Sequence, residues 1–173
     1  FLESNNIVNV GKERIFAKKI IISTGGIPKN LNIRGYKHCI NSDQIMELKK
    51  IPKLLTIVGS GYIAIEFAFI FSLLGSKVNL ICRKNILRGF DSDLVKLVKE
   101  SLAYRGVSIF LNTQIEKVSL SKKLKLISLQ KSKAKLLANE VLVAIGRKAN
   151  IESLNLEQVG VKLTNKYAIK VDN

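Results

Sequence analysis

Gly59-Ser60-Gly61-Tyr62-Ile63-Ala64 has the spacing GxGxxA. A hexamer of this kind does chemistry only where it joins a strand to a helix. There the first glycine permits a tight turn, and the second lets the backbone approach a pyrophosphate with no Cβ in the way. The small third residue lets helix and strand pack closely. The free amides at the helix N-terminus then receive phosphates, helped by the helix dipole. Gly59 and Gly61 are therefore candidate dinucleotide-binding residues.

A dinucleotide with a free ribose 2′-hydroxyl usually meets a carboxylate about 20 residues further on, at the end of the second strand. Here that window, Val78 to Arg88, holds no Asp or Glu and does hold Arg83, Lys84 and Arg88. A carboxylate repels a 2′-phosphate, whereas guanidinium forks bind it in bidentate fashion. The expected cofactor is NADPH rather than NADH or FAD. Glu66 is the only charge in the helix that follows, and an unpaired charge in an apolar wall is costly. It is expected to pair with a lysine from outside this sequence, or to stand at the mouth of the nicotinamide pocket. Tyr62, in the first helical turn, is expected to point toward the cofactor cleft.

Leu54–Val58 is a continuous apolar run, the pattern of a strand buried on both faces. A helix is predicted over 62–74, ended by Gly75, and a second strand over 78–82. Asp91-Ser92-Asp93 caps a second helix over about 92–104, with Leu94, Leu97, Val98, Ser101 and Leu102 on its apolar face. A third strand follows at 107–111. This is βαβαβ, one half of a Rossmann-like doubly wound α/β fold. Residues 114–137 alternate with period two, as a β-meander does, and 140–145 reads as a further buried strand. Before the motif, 7–10 and 14–22 read as a hairpin, 28–40 as a linker, and 43–50 as a short helix capped by Ser42. Residues 168–173 read as an interrupted strand.

The composition removes other classes of function. Cys39 and Cys82 stand far apart and His38 is the sole histidine, so no zinc spacing, local redox dithiol or His pair exists within this sequence. The net charge is +16, and 23 of the 29 basic residues are lysine. They are dispersed and never form a run of five, which favours a solvated surface over a nucleic-acid footprint. The longest apolar stretch falls short of the ~20 residues of a membrane span. No signal peptide opens the chain. The expectation is a cytoplasmic protein, no membrane or metal, and an excised piece of a longer chain.

Gly-Ser-Gly-Tyr-Ile-Ala-Ile-Glu (59–66), Leu-Gly-Ser-Lys-Val (74–78) and Arg-Lys-Asn-Ile-Leu-Arg-Gly-Phe-Asp (83–91) together resemble the NADPH domain of glutathione reductases. These belong to the class I pyridine nucleotide-disulfide oxidoreductases. Ser-Thr-Gly-Gly (23–26) is similar to the close of the first half of the family's FAD domain, and Ala-Ile-Gly-Arg (144–147) to the return toward the flavin. The resemblance implies three segments: 1–35 as the end of an FAD-domain segment and linker, 36–149 as the NADP(H)-binding domain, and 150–173 as the return into the FAD domain.

It also implies roles. Gly59, Ser60, Gly61, Ile63, Ile145 and Gly146 line the NADPH site, with Glu66 near the nicotinamide and Tyr62 as an aromatic gate over the flavin. Arg83 and Arg88 grip the 2′-phosphate, assisted by Lys84. Thr24, Gly25 and Arg147 lie on the FAD side. Relatives that use NADH, such as dihydrolipoamide dehydrogenases, carry an acidic residue where Arg83 stands. The implied whole protein is a homodimeric, FAD-dependent enzyme. It passes electrons from NADPH through FAD and a redox disulfide to glutathione disulfide, and the disulfide, the catalytic His-Glu pair and the dimer domain lie outside this sequence. The alternatives are the same domain of another family member, a dihydrolipoamide dehydrogenase or a thioredoxin or trypanothione reductase, and, of another class, a non-enzymatic basic binding module.

Overall fold

The apolar runs and alternations resolve into a mixed α/β structure in a computed structural model, which describes residues 1–165 and 167–172. In chain order come β1 (Leu2–Ser4), β2 (Ile7–Val10), β3 (Glu13–Phe16), β4 (Gly26–Pro28), β5 (Leu54–Val58), α1 (Tyr62–Leu73) and β6 (Lys77–Ile81). Then follow α2 (Ser92–Tyr104), β7 (Ser108–Phe110), β8 (Ile115–Ser121), β9 (Leu124–Leu129), β10 (Lys135–Ala138), β11 (Glu140–Val143) and β12 (Arg147–Ala149). The chain divides into two units, Phe1–Ile27 with Arg147–Asn173, and Pro28–Gly146.

The Pro28–Gly146 unit is built on a four-stranded sheet of order β11-β5-β6-β7. All three pairings are parallel, with Val143, Val58 and Ile81 level at its C-terminal edge. Side chains alternate across a strand, and both faces are covered. Leu55, Ile57, Val78, Leu80 and Leu142 meet Ala64, Ile65, Ala68 and Phe71 of α1 and Leu102 of α2. Val58, Ile81 and Val141 meet Ile115, Val118, Ile127, Leu129 and Ala138 of the meander β10-β9-β8. Each fully buried large aliphatic contributes roughly 1.5–3 kcal/mol. That double burial explains why β5 carries no polar residue except Thr56, whose hydroxyl is buried without a partner among the described residues. The lysines of the meander at 117, 122, 123, 131, 133 and 135 are exposed, as a solvated face requires.

Both helices end in Schellman motifs. Ser76 N donates to Phe71 O and Gly75 N to Ser72 O. Val107 N donates to Leu102 O and Gly106 N to Ala103 O. The glycines at 75 and 106 take the left-handed backbone this needs. Asp91 caps α2, its Oδ1 accepting from the amides of Asp93 (2.9 Å) and Leu94 (3.1 Å). The first and last residues of the unit lie close together, with Lys29 N donating to Gly146 O at 2.9 Å.

Several expectations change. The 28–40 stretch is not a plain linker, because Tyr36–His38 forms a 3-10 turn and Ile40 bridges in parallel to Leu142. The helix expected over 43–50 is a 3-10 turn, Gln44–Glu47. Asn41, not Ser42, provides the acceptor there, for the amides of Asp43 and Gln44. Leu48 is already extended, as suits a chain running into Pro52. On α2 the buried side is Val95, Val98 and Leu102, while Leu94 and Leu97 are each 60% exposed. Two apolar stripes share the helix, and the sheet selects one of them.

In the other unit, β1-β2-β3 is an antiparallel sheet with Val10 opposite Glu13, and β12 pairs with β4. The second hairpin strand ends at Phe16 rather than 22. Ile20 and Ile22 find no strand beside them among the described residues, and pack instead with Leu2, Ile151 and Leu156. Within 168–173, Ile169 makes only an isolated bridge, to Leu163. Asn173 lies outside the described residues.

Candidate functional site

Three chain segments leave the C-terminal edge of the parallel sheet side by side: Gly59–Gly61 after β5, Cys82–Asp91 after β6, and Ala144–Gly146 after β11. β6 lies on one side of β5 and β11 on the other. The connections therefore diverge at β5, the topological switch point at which open α/β sheets bind ligands.

The two glycines of the turn are constrained differently. Gly59 has φ +151°, and a Cβ there would sit 2.2 Å from the Ala144 carbonyl oxygen and 3.2 Å from Ala64 Cβ. Its glycine is demanded by strand and helix packing. Gly61, the N-cap of α1, has φ −84° and ψ 176°, a conformation open to any residue. Apart from its neighbours along the chain, no atom of the described residues lies within 4 Å of where its Cβ would be. Gly61 leaves an open cradle in front of the helix N-terminus, and nothing in the fold itself requires it. Among the described residues the amides of Ser60 and Gly61 have no acceptor. Ser60 is half-buried beside them. Residues so arranged fit a pyrophosphate.

Tyr62 and Glu66 are one turn apart, on the same side of α1. Tyr62 is 57% exposed and Glu66 is exposed as well. Glu66 therefore does not stand in an apolar wall within this chain, because the buried side of α1 is Ala64, Ile65, Ala68 and Phe71. Ile63 is half-buried against the core.

In the β6–α2 loop Arg83, Lys84 and Arg88 are all exposed. Among the described residues none of them meets a carboxylate. Ile86 anchors the loop from below, 1% exposed. Cys82 is fully buried and its thiol donates to the Gly59 carbonyl at 3.3 Å. Burial pushes that thiol up to about 11, against a smaller opposing pull from Lys99. Leu87 holds a left-handed backbone, φ 47°, and its amide donates to the Ser60 carbonyl at 2.7 Å. No periodicity or composition signals an S–H···O bond or a left-handed leucine. Ile145 and Gly146 are exposed beyond the end of β11.

In the Phe1–Ile27 and Arg147–Asn173 unit, the residues expected on the flavin side come together. Asn150 N donates to Gly25 O (3.0 Å) and Asn150 Nδ2 to Thr24 O (3.4 Å). The Arg147 guanidinium donates to the carbonyl of Gly26. Asn150, which no sequence motif singles out, ties this cluster. No helix among the described residues is long and apolar enough to cross a membrane. No cluster of three or more His, Cys, Asp or Glu among them could hold a metal ion.

The protein-family model described as "Pyridine nucleotide-disulphide oxidoreductase" matches residues 2–173. The chain belongs to that family. Within the pyridine nucleotide-disulphide oxidoreductases it is 39% identical to trypanothione reductase of Trypanosoma congolense, over 99% of this chain and 37% of the relative. It is 38% identical to glutathione reductase of a Nostoc species, over 95% of this chain and 36% of the relative. Mercuric reductases and a dihydrolipoyl dehydrogenase match too. The HOCl-induced flavoprotein disulfide reductase RclA from Escherichia coli shares the fold with a TM-score of 0.92 at 29% identity, covering 99% of this chain and 40% of that one. The chain thus spans well under half the length of these family members.

Proposed function

We infer that the Pro28–Gly146 unit binds NADPH as the dinucleotide domain of an FAD-dependent disulphide reductase of the glutathione reductase kind. The observation that carries this reading is the open cradle at Gly61, a glycine that neither backbone conformation nor protein packing requires. A ligand whose phosphates approach the backbone accounts for it. The Ser60 and Gly61 amides and the N-terminus of α1 hold the pyrophosphate. Arg83 and Arg88, with Lys84, hold the 2′-phosphate. Each charge-assisted hydrogen bond there contributes ~1.5–3 kcal/mol, roughly 10- to 150-fold in affinity. Tyr62, Glu66, Ile145 and Gly146 belong to the nicotinamide end.

Bound there, NADPH supplies hydride for reduction of a flavin. This chain's contribution is to fix the dinucleotide at both phosphate groups and so orient its reactive end. Thr24, Gly25 and Arg147 are assigned to the FAD side. The whole protein is read as a homodimer acting on glutathione disulphide.

Calorimetric titration with NADPH and NADH, at low and moderate salt, tests the reading. Clear preference for NADPH supports it. Preference for NADH moves the protein to the dihydrolipoamide dehydrogenase branch. Weak binding of both, lost at moderate salt without discrimination, supports a basic binding module instead.

A further inference from the structure

The β6–α2 segment does more at this site than carry basic side chains. It holds both carbonyls of the glycine turn. The Cys82 thiol donates to Gly59 O at 3.3 Å, and the Leu87 amide donates to Ser60 O at 2.7 Å. In a planar trans peptide the C=O and the following N–H point in opposite directions. Fixing Gly59 O toward Cys82 therefore aims the Ser60 amide away from this segment, and fixing Ser60 O toward Leu87 does the same for the Gly61 amide. These are the two amides with no partner among the described residues. Leu87 accepts a left-handed backbone, φ 47°, in making its bond. That conformation is unfavourable for a leucine and is retained only where its surroundings impose it.

We propose that Cys82 and Leu87 are positioning residues for the dinucleotide: they lock the Gly59-Ser60-Gly61 peptides so that the Ser60 and Gly61 amides face the pyrophosphate before it arrives. The proposal rests on the reading of this turn as an NADPH site and adds how its donors are oriented. The thiol remains a donor across the physiological range, because burial pushes it up to about 11. A pyrophosphate is common to NADPH and NADH, so loss of this lock weakens both equally. The Arg83 contact with the 2′-phosphate, by contrast, affects NADPH alone.

The test compares Cys82→Ala with Cys82→Ser. Alanine removes the donor and leaves the Gly59 carbonyl without its partner. Serine keeps a donor but buries a hydroxyl in an apolar site, which does not favour stability. Dissociation constants for NADPH and NADH are measured with the thermal midpoint of each variant. Expected is a loss of about 3- to 10-fold for both dinucleotides in Cys82→Ala, from loss of one hydrogen bond. Cys82→Ser should stay within about 2-fold of the parent chain, although its thermal midpoint is no higher than that of Cys82→Ala. Affinity that follows thermal stability rather than donor chemistry overturns the proposal. So does an alanine variant that binds as well as the parent, or one that loses NADPH alone. A parent chain that binds neither dinucleotide overturns the NADPH reading itself and the proposal with it.

Discussion

The β5–α1 turn and the β6–α2 loop leave adjacent strands at one edge of one sheet, yet different forces shape them. The turn is set largely from inside: Gly59 is buried against the end of β11, where a Cβ would lie 2.2 Å from Ala144 O. The loop is anchored at Cys82 and Ile86 but exposes Arg83, Lys84 and Arg88, with no carboxylate among the described residues to meet them. The turn contributes geometry common to any dinucleotide, and the loop contributes charge that selects among them. Packing fixes the first and solvent-facing chemistry the second, so mutations in the two should separate stability, general affinity and selectivity.

Gly59→Ala strikes packing and should have the largest effect. The clash with backbone combines with φ +151°, and the fold should lose more than about 3 kcal/mol, measured by urea unfolding. Gly61→Val strikes mainly the ligand. It should lose no more than about 1 kcal/mol of stability, from a poorer N-cap on α1, while NADPH and NADH affinity both fall by at least about 100-fold, or ~2.7 kcal/mol. A variant that still binds both would remove the turn from the site.

Arg83→Ala should reduce NADPH affinity by roughly 10- to 150-fold and barely change NADH affinity. Equal losses would cancel the division of labour between turn and loop. Asp91→Ala removes the α2 cap that closes the loop and should lower stability by about 1 kcal/mol with little change in selectivity.

The last effect appears only at alkaline pH. Burial pushes both Cys39 and Cys82 from their ordinary 9.0 up to about 11. Between those values the unfolded chain releases protons that the folded chain keeps, so stability should decline as pH rises from about 9 through about 11. Replacing both cysteines should flatten that decline in unfolding curves.

What the sequence reveals follows the same division. β5, its turn and α1 are legible because a five-residue apolar run, GxGxxA and the Gly75 stop all agree on one strand–turn–helix. The basic window after β6 is legible as charge. The buried side of α2 is not, because Val95, Val98 and Leu102 and the exposed Leu94 and Leu97 both repeat at helical spacing. Periodicity names the helix, and only the sheet chooses the face. The strand expected at Ile20–Ile22 needed a partner that sequence alone cannot provide. Glu66 looked enclosed because its neighbours along the chain are apolar, yet helical geometry turns it to the exposed side. The left-handed Leu87 and the Cys82 thiol bond arise from tertiary contact and leave no trace in the pattern.

The hydrogen bond from Lys29 to Gly146 bears on how the chain can be rearranged. A body whose two ends meet can be set into a host loop, lifted out or permuted while its interior stays intact. Pro28–Gly146 has the form of such a cassette. A gene encoding it alone, or one reopened at the exposed Lys122–Lys123 hairpin with the old ends joined, should still specify the same sheet.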